Sequence, residues 1–280
     1  MLQTISLCDE LTFELRDDQE IRLTCDDASI PVDDSNLIIK AAKALRADRG
    51  ANITLTKLIP AKGGLGGGSS NAAATLLALN HLWGRELRNT DLLEIGATIG
   101  ADVPFFLIGG SAEARGTGTD LFPVPDIEQK HLIVIAPNAA VSTAQAYASL
   151  NRGSLTTSES VSILSSSFAR PVSEDSSHWF LHNDFEVAIF EIEPEIRRAK
   201  EALLEAGARG ALLAGSGSSV FGIFDDEAAR DRALVELRSE AGWRIFSCRT
   251  LSRADYLQAM GPSGFPLLRS LKNRQSDTGA

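Results

Sequence analysis

The stretch "LIPAKGGLGGGSSNAAATLLALN", Leu58 to Asn80, decides the reading of this chain. It sets five glycines and two serines between a strand-like segment and an alanine- and leucine-rich helical pattern. Glycine lacks a Cβ and adopts positive φ, so such a loop can turn its amide N–H groups inward and let an anion approach the main chain. A helix starting at Ser69 or Ser70, with a serine hydroxyl as its N-cap, adds unpaired N–H donors and the positive end of its dipole. A flexible turn is the plain alternative, but a turn rarely needs five glycines followed at once by a capped helix. The spacing therefore predicts a phosphate cradle. Two common cradles are excluded. The Walker loop ends in Gly-Lys-Ser/Thr, whereas this one ends Gly68-Ser69-Ser70 with Lys62 at the other end. The dinucleotide fingerprint does not match either, since no acidic residue about twenty positions on closes a βαβ unit.

Working outward, "NITLTKLIP" alternates Ile53 and Leu55 against Thr54 and Thr56, and Pro60 stops ladder pairing, so a strand feeds the loop. Further upstream, "TISLCDELTFEL" and "EIRLTC" alternate and predict a hairpin. Asp34 or Ser35 is expected to cap a helix running to about Arg46. After the loop, Ala72, Leu76, Leu79 and Trp83 recur at helical spacing, and a second helix is expected over Thr90 to Ile99. "GADVPFFLIGG" then turns into a strand, with Pro104 biasing Val103 to an extended conformation. Strands follow at Ser111 to Ala114 and His131 to Pro137.

From Asn151 to Ser177 the sequence is crowded with Ser and Thr. It reads as a surface loop or a lid, with one short helix around Val161 to Leu164. Next come a helix from Glu193 to Glu205, a strand "GALLA", a glycine turn "GSGSS", a strand "VFGIF", a helix from near Asp225 and a strand "WRIFSC". This order predicts an α+β sandwich with helices on one face of a sheet. Gly261 to Ala280 is expected to fray.

Composition narrows the function classes. A chain of 280 residues, 44% hydrophobic, can bury two ordinary cores. A formal net charge of −10 argues against a nucleic-acid partner, which needs clustered Lys and Arg. Cys8, Cys25 and Cys248 are odd in number with no CxxC pair, which fits a reducing cytoplasm. No apolar run reaches the roughly 18 residues of a membrane span, and the first twenty residues are acidic rather than signal-like. His81, His131, His178 and His182 lack metal-ligand spacing, so no protein metal centre is expected.

The loop resembles the ATP loop of the GHMP kinases, P-x-x-x-G-L-G-G-G-S-S-N-A-A, through Pro60, Gly64, Leu65, Gly66, Gly67, Gly68, Ser69, Ser70, Asn71, Ala72 and Ala73. "GADVPFF" (100–106), "AGSGSSVFGIF" (214–224), "DSNLIIKAA" (34–42) and "HNDFE" (182–186) also resemble family segments, so the likeness covers nearly the whole chain. Within the family these segments are most similar to members acting on 4-diphosphocytidyl-2-C-methyl-D-erythritol in the non-mevalonate isoprenoid pathway. "GADVPFF" and "HNDFE" count against homoserine or mevalonate as substrate. The resemblance implies a two-domain α+β GHMP fold, with a ribosomal protein S5 domain 2-like N-terminal ATP-binding domain over 1–140, a ferredoxin-like C-terminal domain over 141–262 and a tail over 263–280.

The implied reaction is transfer of the ATP γ-phosphoryl group to the 2-hydroxyl of that small molecule. On its own, an Asp in a Gly-Ala-Asp-Val-Pro turn is more often a cap; the resemblance makes Asp102 the catalytic base and a substrate contact. It likewise implies that Pro60, Ala61, Lys62, Gly63, Gly64, Leu65, Gly66, Gly67, Gly68, Ser69 and Ser70 bind ATP. Asn183 is expected to contact the substrate, and Mg2+ is expected to arrive on the nucleotide, with Ser69 or Ser70 as a contact. Neither Lys57 nor Lys62 is given a catalytic role. A monomer or homodimer in the cytoplasm, without nucleic-acid or membrane partners, completes the expectation. Family members begin with a strand carrying Pro-x-Lys-x-Asn-Leu, whose lysine works beside the catalytic aspartate, and then a Gly-Tyr-His segment; neither occurs here. A misplaced start codon, a true truncation and a weak relative remain as explanations, and an ATP-binding module of low or no turnover is the alternative to an active kinase.

Overall fold

The computed structural model describes residues 1–45, 49–115, 120–139, 141, 146, 167–168 and 181–261. The helix expected near Val161 to Leu164 lies outside them, as do most of 151–177 and all of 262–280. A short strand, β1 (Leu2–Gln3), is followed by β2 (Glu10–Arg16), β3 (Ile21–Cys25), helix α1 (Leu37–Ala44) and β4 (Gly50–Thr56). β4 buries Ala51, Ile53 and Leu55 and exposes Thr54 and Thr56, the alternation read from the sequence.

The expected hairpin does not form. β4 inserts between the first two long strands, antiparallel to β2 and parallel to β3. Its buried residues give it the most apolar face of the three, which favours the central position. The carbonyls of Asp18 and Glu20, in the β2–β3 connection, accept from Gly50 and Ala51 and so start the pairing. The cap of α1 is also displaced by one residue from expectation. Asn36 Oδ1 accepts from the Ile38 N–H at 2.9 Å, while Ser35 donates to Asp33 and Asp34 pairs with Lys43.

α2 (Gly67–Leu82) follows the glycine loop, then α3 (Asn89–Ile99) and α4 (Val103–Ile108). α1 to α4 pack on one face of the β2–β4–β3 sheet, closing a core that contains Ile38, Ile53, Leu55, Leu76, Leu79 and Leu107. The segment holding Pro104 is helical rather than extended. Proline stands at the second helical position, where its missing N–H leaves no bond unmade. β5 (Ser111–Arg115) and β6 (Asp120–Pro123) form a small sheet with β1.

The second core is built on β7 (His131–Pro137), which is buried from Leu132 onward. β8 (Ser167–Phe168) pairs with β9 (Leu181–His182). Then come α5 (Phe185–Ile192), α6 (Pro194–Glu205), β10 (Gly210–Leu213), β11 (Val220–Phe224), α7 (Glu227–Leu237), β12 (Trp243–Arg249) and α8 (Arg253–Ala259). The sheet order is β10–β11–β7–β12, all antiparallel. Ile133 and Ile135 point toward α5, α6 and α7, whereas Leu132 and Val134 point to the opposite face, against Leu7, Ile59 and Leu65. Cover on both faces explains why β7 reads as an unbroken apolar run. β7 precedes residue 140 yet pairs wholly within this second sheet. The first residues tie the halves together: Thr4 N–H donates to the Gly110 carbonyl, Leu251 N–H to the Thr4 carbonyl and Ser6 N–H to the Arg249 carbonyl.

Candidate active site

The site lies where the second face of the β7 sheet meets the glycine loop. The loop leaves β4 through Lys57, Leu58 and Ile59, and one carboxylate secures both of its limbs. Asp9 Oδ1 accepts from the Leu58 and Ile59 N–H groups at 2.8 and 2.7 Å, and Oδ2 accepts from Asn71 Nδ2, on α2, at 2.8 Å. Lys57 Nζ donates to the same carboxylate at 3.0 Å; the two side chains are 0% and 6% exposed. A buried ion pair is tolerated only when its remaining hydrogen-bonding capacity is met, as it is here. Lys57 also donates to the Ile59 carbonyl, so its charge is committed inside the protein.

Lys62, Gly64 and Gly66 have φ of 55°, 72° and 69°, alternating with residues in ordinary conformations. Alternation of this kind gathers successive N–H groups on one concave side. Helix α2 begins at Gly66, its N-cap, and no side chain caps it. The serine cap expected at Ser69 or Ser70 is therefore corrected. Ser70 N–H already donates to the Gly66 carbonyl at 2.8 Å, which puts both serines inside the first turn. The N-terminal donors of α2 are left without a side-chain acceptor, and the helix dipole adds positive potential there.

A turn from the second half supports the loop from behind. Ser218 and Ser219 donate their N–H groups to the carbonyls of Lys62 and Gly63 at 3.3 and 3.1 Å. At Gly64 a Cβ would stand 1.9 Å from the Ala214 carbonyl oxygen, so only glycine fits. On the other flank, α4 carries Asp102 at its N-cap, with no capping bond from its side chain. The carboxylate is open to solvent through the cleft mouth but walled by protein elsewhere, and desolvation raises its pKa above the ordinary carboxylate range. Such a group is a free acceptor with increased basicity, suited to taking a proton. Tyr256 of α8 is buried behind it. Its hydroxyl donates to the Phe106 carbonyl at 2.8 Å, and burial raises its pKa.

Gly64, Leu65, Gly66, Ser70, Asn71 and Asp102 line one cavity of about 810 Å³, within the size range of small-ligand sites. Pro60, Ala61, Lys62, Gly63, Gly67, Gly68 and Ser69 belong to the same loop and helix start without lining that cavity. Asn183 does not line it either, and both of its amide hydrogens are donated to backbone carbonyls.

Residues 36–110 match the family of GHMP kinases N terminal domains, and residues 167–242 match the GHMP kinases C terminal family. The chain belongs to the GHMP kinase family. This GHMP kinase is 39% identical over 255 residues to a 4-diphosphocytidyl-2-C-methyl-D-erythritol kinase of Geobacter sp. strain M21, covering 90% of this chain and 89% of that one. It is 40% identical over 255 residues, with the same coverage, to the protein of that name from Syntrophus aciditrophicus. Among solved structures it resembles a crystal structure of 4-(cytidine 5'-diphospho)-2C-methyl-D-erythritol kinase, with 30% identity and a TM-score of 0.71 over 88% of this chain and 87% of that one.

Sequence reasoning missed three residues of this GHMP kinase's cleft. Asp9 sits in "SLCDEL", where a carboxylate interrupts an alternating apolar run; that interruption was the available signal. Asn71 is a buried polar residue at the start of an alanine-rich helix. Tyr256 gave no signal, because its role depends on α8 folding back against α4. Among the described residues no cluster of three or more His, Cys, Asp or Glu is arranged to hold a metal, and no helix is long and apolar enough to cross a membrane.

Proposed function

We propose that this GHMP kinase transfers the γ-phosphoryl group of ATP to the 2-hydroxyl of 4-diphosphocytidyl-2-C-methyl-D-erythritol. The observation that carries the proposal is the meeting in one cleft of the α2 start, the loop residues Gly64 to Gly66 and the Asp102 carboxylate, which has no partner among the described residues. The names of relatives 39–40% identical over 90% of the chain support the substrate.

In this reading, Pro60 through Ser70 form the triphosphate cradle, with the main-chain N–H groups of its glycines as donors, and phosphoryl transfer then depends on positioning and charge neutralisation. Asp102 contacts the substrate hydroxyl and takes its proton as the oxygen bonds to the γ-phosphorus. The bond from that phosphorus to the β–γ bridging oxygen breaks, and ADP leaves. Ser70, in the first turn of α2, lines the cavity beside the loop. A hard cation accepts such oxygen ligands, so the residues fit a magnesium ion carried on the nucleotide, which would offset charge on the phosphate oxygens. The division into 1–140, 141–262 and a tail belongs to the same proposal; two separate apolar cores support two units, with β7 packed in the second although it precedes residue 140.

The test is ADP release by the purified chain with ATP, magnesium and 4-diphosphocytidyl-2-C-methyl-D-erythritol, with homoserine and mevalonate as competing acceptors. Turnover confined to the cytidyl substrate is expected. Preference for another acceptor would overturn the substrate, and ATP binding without any turnover would favour a binding module.

A further inference from the structure

The "HNDFE" segment takes no part in the chemistry just proposed, yet two of its side chains converge on one short stretch of backbone. Asn183, 7% exposed, donates from Nδ2 to the carbonyls of Leu213 and Gly215 at 2.9 and 2.8 Å. Its Oδ1 accepts from the Phe185 N–H at 3.0 Å, so both amide hydrogens and the carbonyl are engaged inside the fold. Glu186 Oε1 accepts from the Leu213 N–H at 3.0 Å, and Lys200 Nζ holds that carboxylate at 2.7 Å. Leu213 ends β10, and the residues after it form the glycine turn. Ala214 N–H donates to the Ser219 carbonyl and Gly217 N–H to the Ala214 carbonyl, closing the turn on itself.

The far side of that turn touches the phosphate loop mainly backbone to backbone, with only the short Ser219 hydroxyl against Gly63. Ser218 and Ser219 donate to Lys62 and Gly63, and the Ala214 carbonyl and Gly217 backbone occupy the space a Gly64 Cβ would need. Close-packed backbone transmits displacement because there is no flexible side chain to absorb it. We propose that Asn183 and Glu186 are positioning residues for the phosphate loop, acting through the glycine turn without touching either substrate. They grip the turn from the start of α5 and the residues just before it, and the turn sets the loop, so the second half of the chain fixes the conformation of the nucleotide cradle in the first. This rests on the kinase reading for its kinetic consequence, but the structural link can be measured without turnover.

The experiment compares Asn183→Leu, which keeps bulk and removes both donors, with Glu186→Ala, which removes the Leu213 acceptor from an independent position. Magnesium ADP binding is titrated, KM is measured separately for ATP and the cytidyl substrate, and amide hydrogen exchange is followed across 58–70. Both variants are expected to weaken ADP binding and raise KM for ATP by about tenfold, the size of one lost buried hydrogen bond. They should speed exchange in the loop but not in 50–56, and leave KM for the cytidyl substrate within about twofold. A rise in KM for the cytidyl substrate with ATP binding intact would make Asn183 a substrate contact and overturn the proposal. A fall in unfolding midpoint with unchanged ADP affinity and loop exchange would reduce both residues to packing and overturn it as well. If Asn183→Leu does not fold, Glu186→Ala alone decides. If neither variant is changed in loop exchange while wild type lacks turnover, both the positioning proposal and the kinase reading fail, each on its own readout.

Discussion

Replacing Gly64 by alanine separates two effects that one methyl group produces. The residue has φ +72°, and a side chain in that region costs about 1–2 kcal/mol. Its Cβ would also lie 1.9 Å from the Ala214 carbonyl oxygen and 2.9 Å from the Gly217 nitrogen. The loop and the turn must part by about 1.5 Å before carbon and oxygen reach ordinary contact. Gly84 provides the internal control: its φ is +61° and a Cβ there would meet nothing within 4 Å. Both substitutions should lower unfolding stability by about 1–2 kcal/mol through backbone strain. Only Gly64→Ala also displaces the cradle, and a shift of about 1 Å at reacting groups costs up to about 100-fold in rate. That corresponds to about 2.7 kcal/mol of lost transition-state stabilisation in kcat/KM. Urea unfolding and a coupled ADP-release assay on the two variants measure the terms independently. Equal losses of activity in both variants, or full activity in Gly64→Ala, would show that contact between the two turns does not set the cradle.

Asp102→Asn should lower kcat by about 10²–10⁴-fold, the range for a lost general base, with ADP affinity retained. Because desolvation raises the folded-state pKa, ionising Asp102 opposes folding once the pH exceeds the unfolded value near about 3.9. The asparagine variant should therefore unfold at higher urea than wild type at pH 7, with the gain vanishing on acidification below that value. The acid limb of the wild-type kcat/KM profile should lie above the ordinary aspartate range, and a limb at or below it would contradict the desolvated environment. Asp9→Ala strands the Lys57 charge and leaves three further donors unpaired, so a stability loss of about 3–5 kcal/mol is expected in urea titration. Tyr256→Phe removes the bond to the Phe106 carbonyl while keeping the ring, for an expected loss of about 1–2 kcal/mol by the same measurement.

What could be read in advance was local. The strand, glycine loop and α2 follow from alternation, missing side chains and helical spacing, each decided within about twenty consecutive residues. The pairing of β2 and β3 with β4 was not readable that way, because a hairpin and a split pair bury the same faces and only distant residues choose between them. The α2 cap was misplaced because a glycine at positive φ can end a loop as well as a serine hydroxyl can. Asp102 stands in the cleft, but that its carboxylate has no partner among the described residues is a tertiary property. The same holds for Asp9, whose four donors come from two separate segments, and for Asn183, whose amide is spent on a turn thirty residues away.

The placement of β7 has a consequence for dividing the chain. It is the middle strand of the second sheet, bonded to β11 on one side and β12 on the other, yet it is joined in sequence to the elements of the first core. Ser6 and Thr4 meanwhile bond to the backbone at the last residue of β12 and just beyond it. Two polypeptides separated between β7 and β9 would leave the second sheet incomplete in the later piece and its inner strand unpaired in the earlier one. Expressed together, they are suited to reassemble by strand complementation, with β7 entering the gap between β11 and β12 as the docking element.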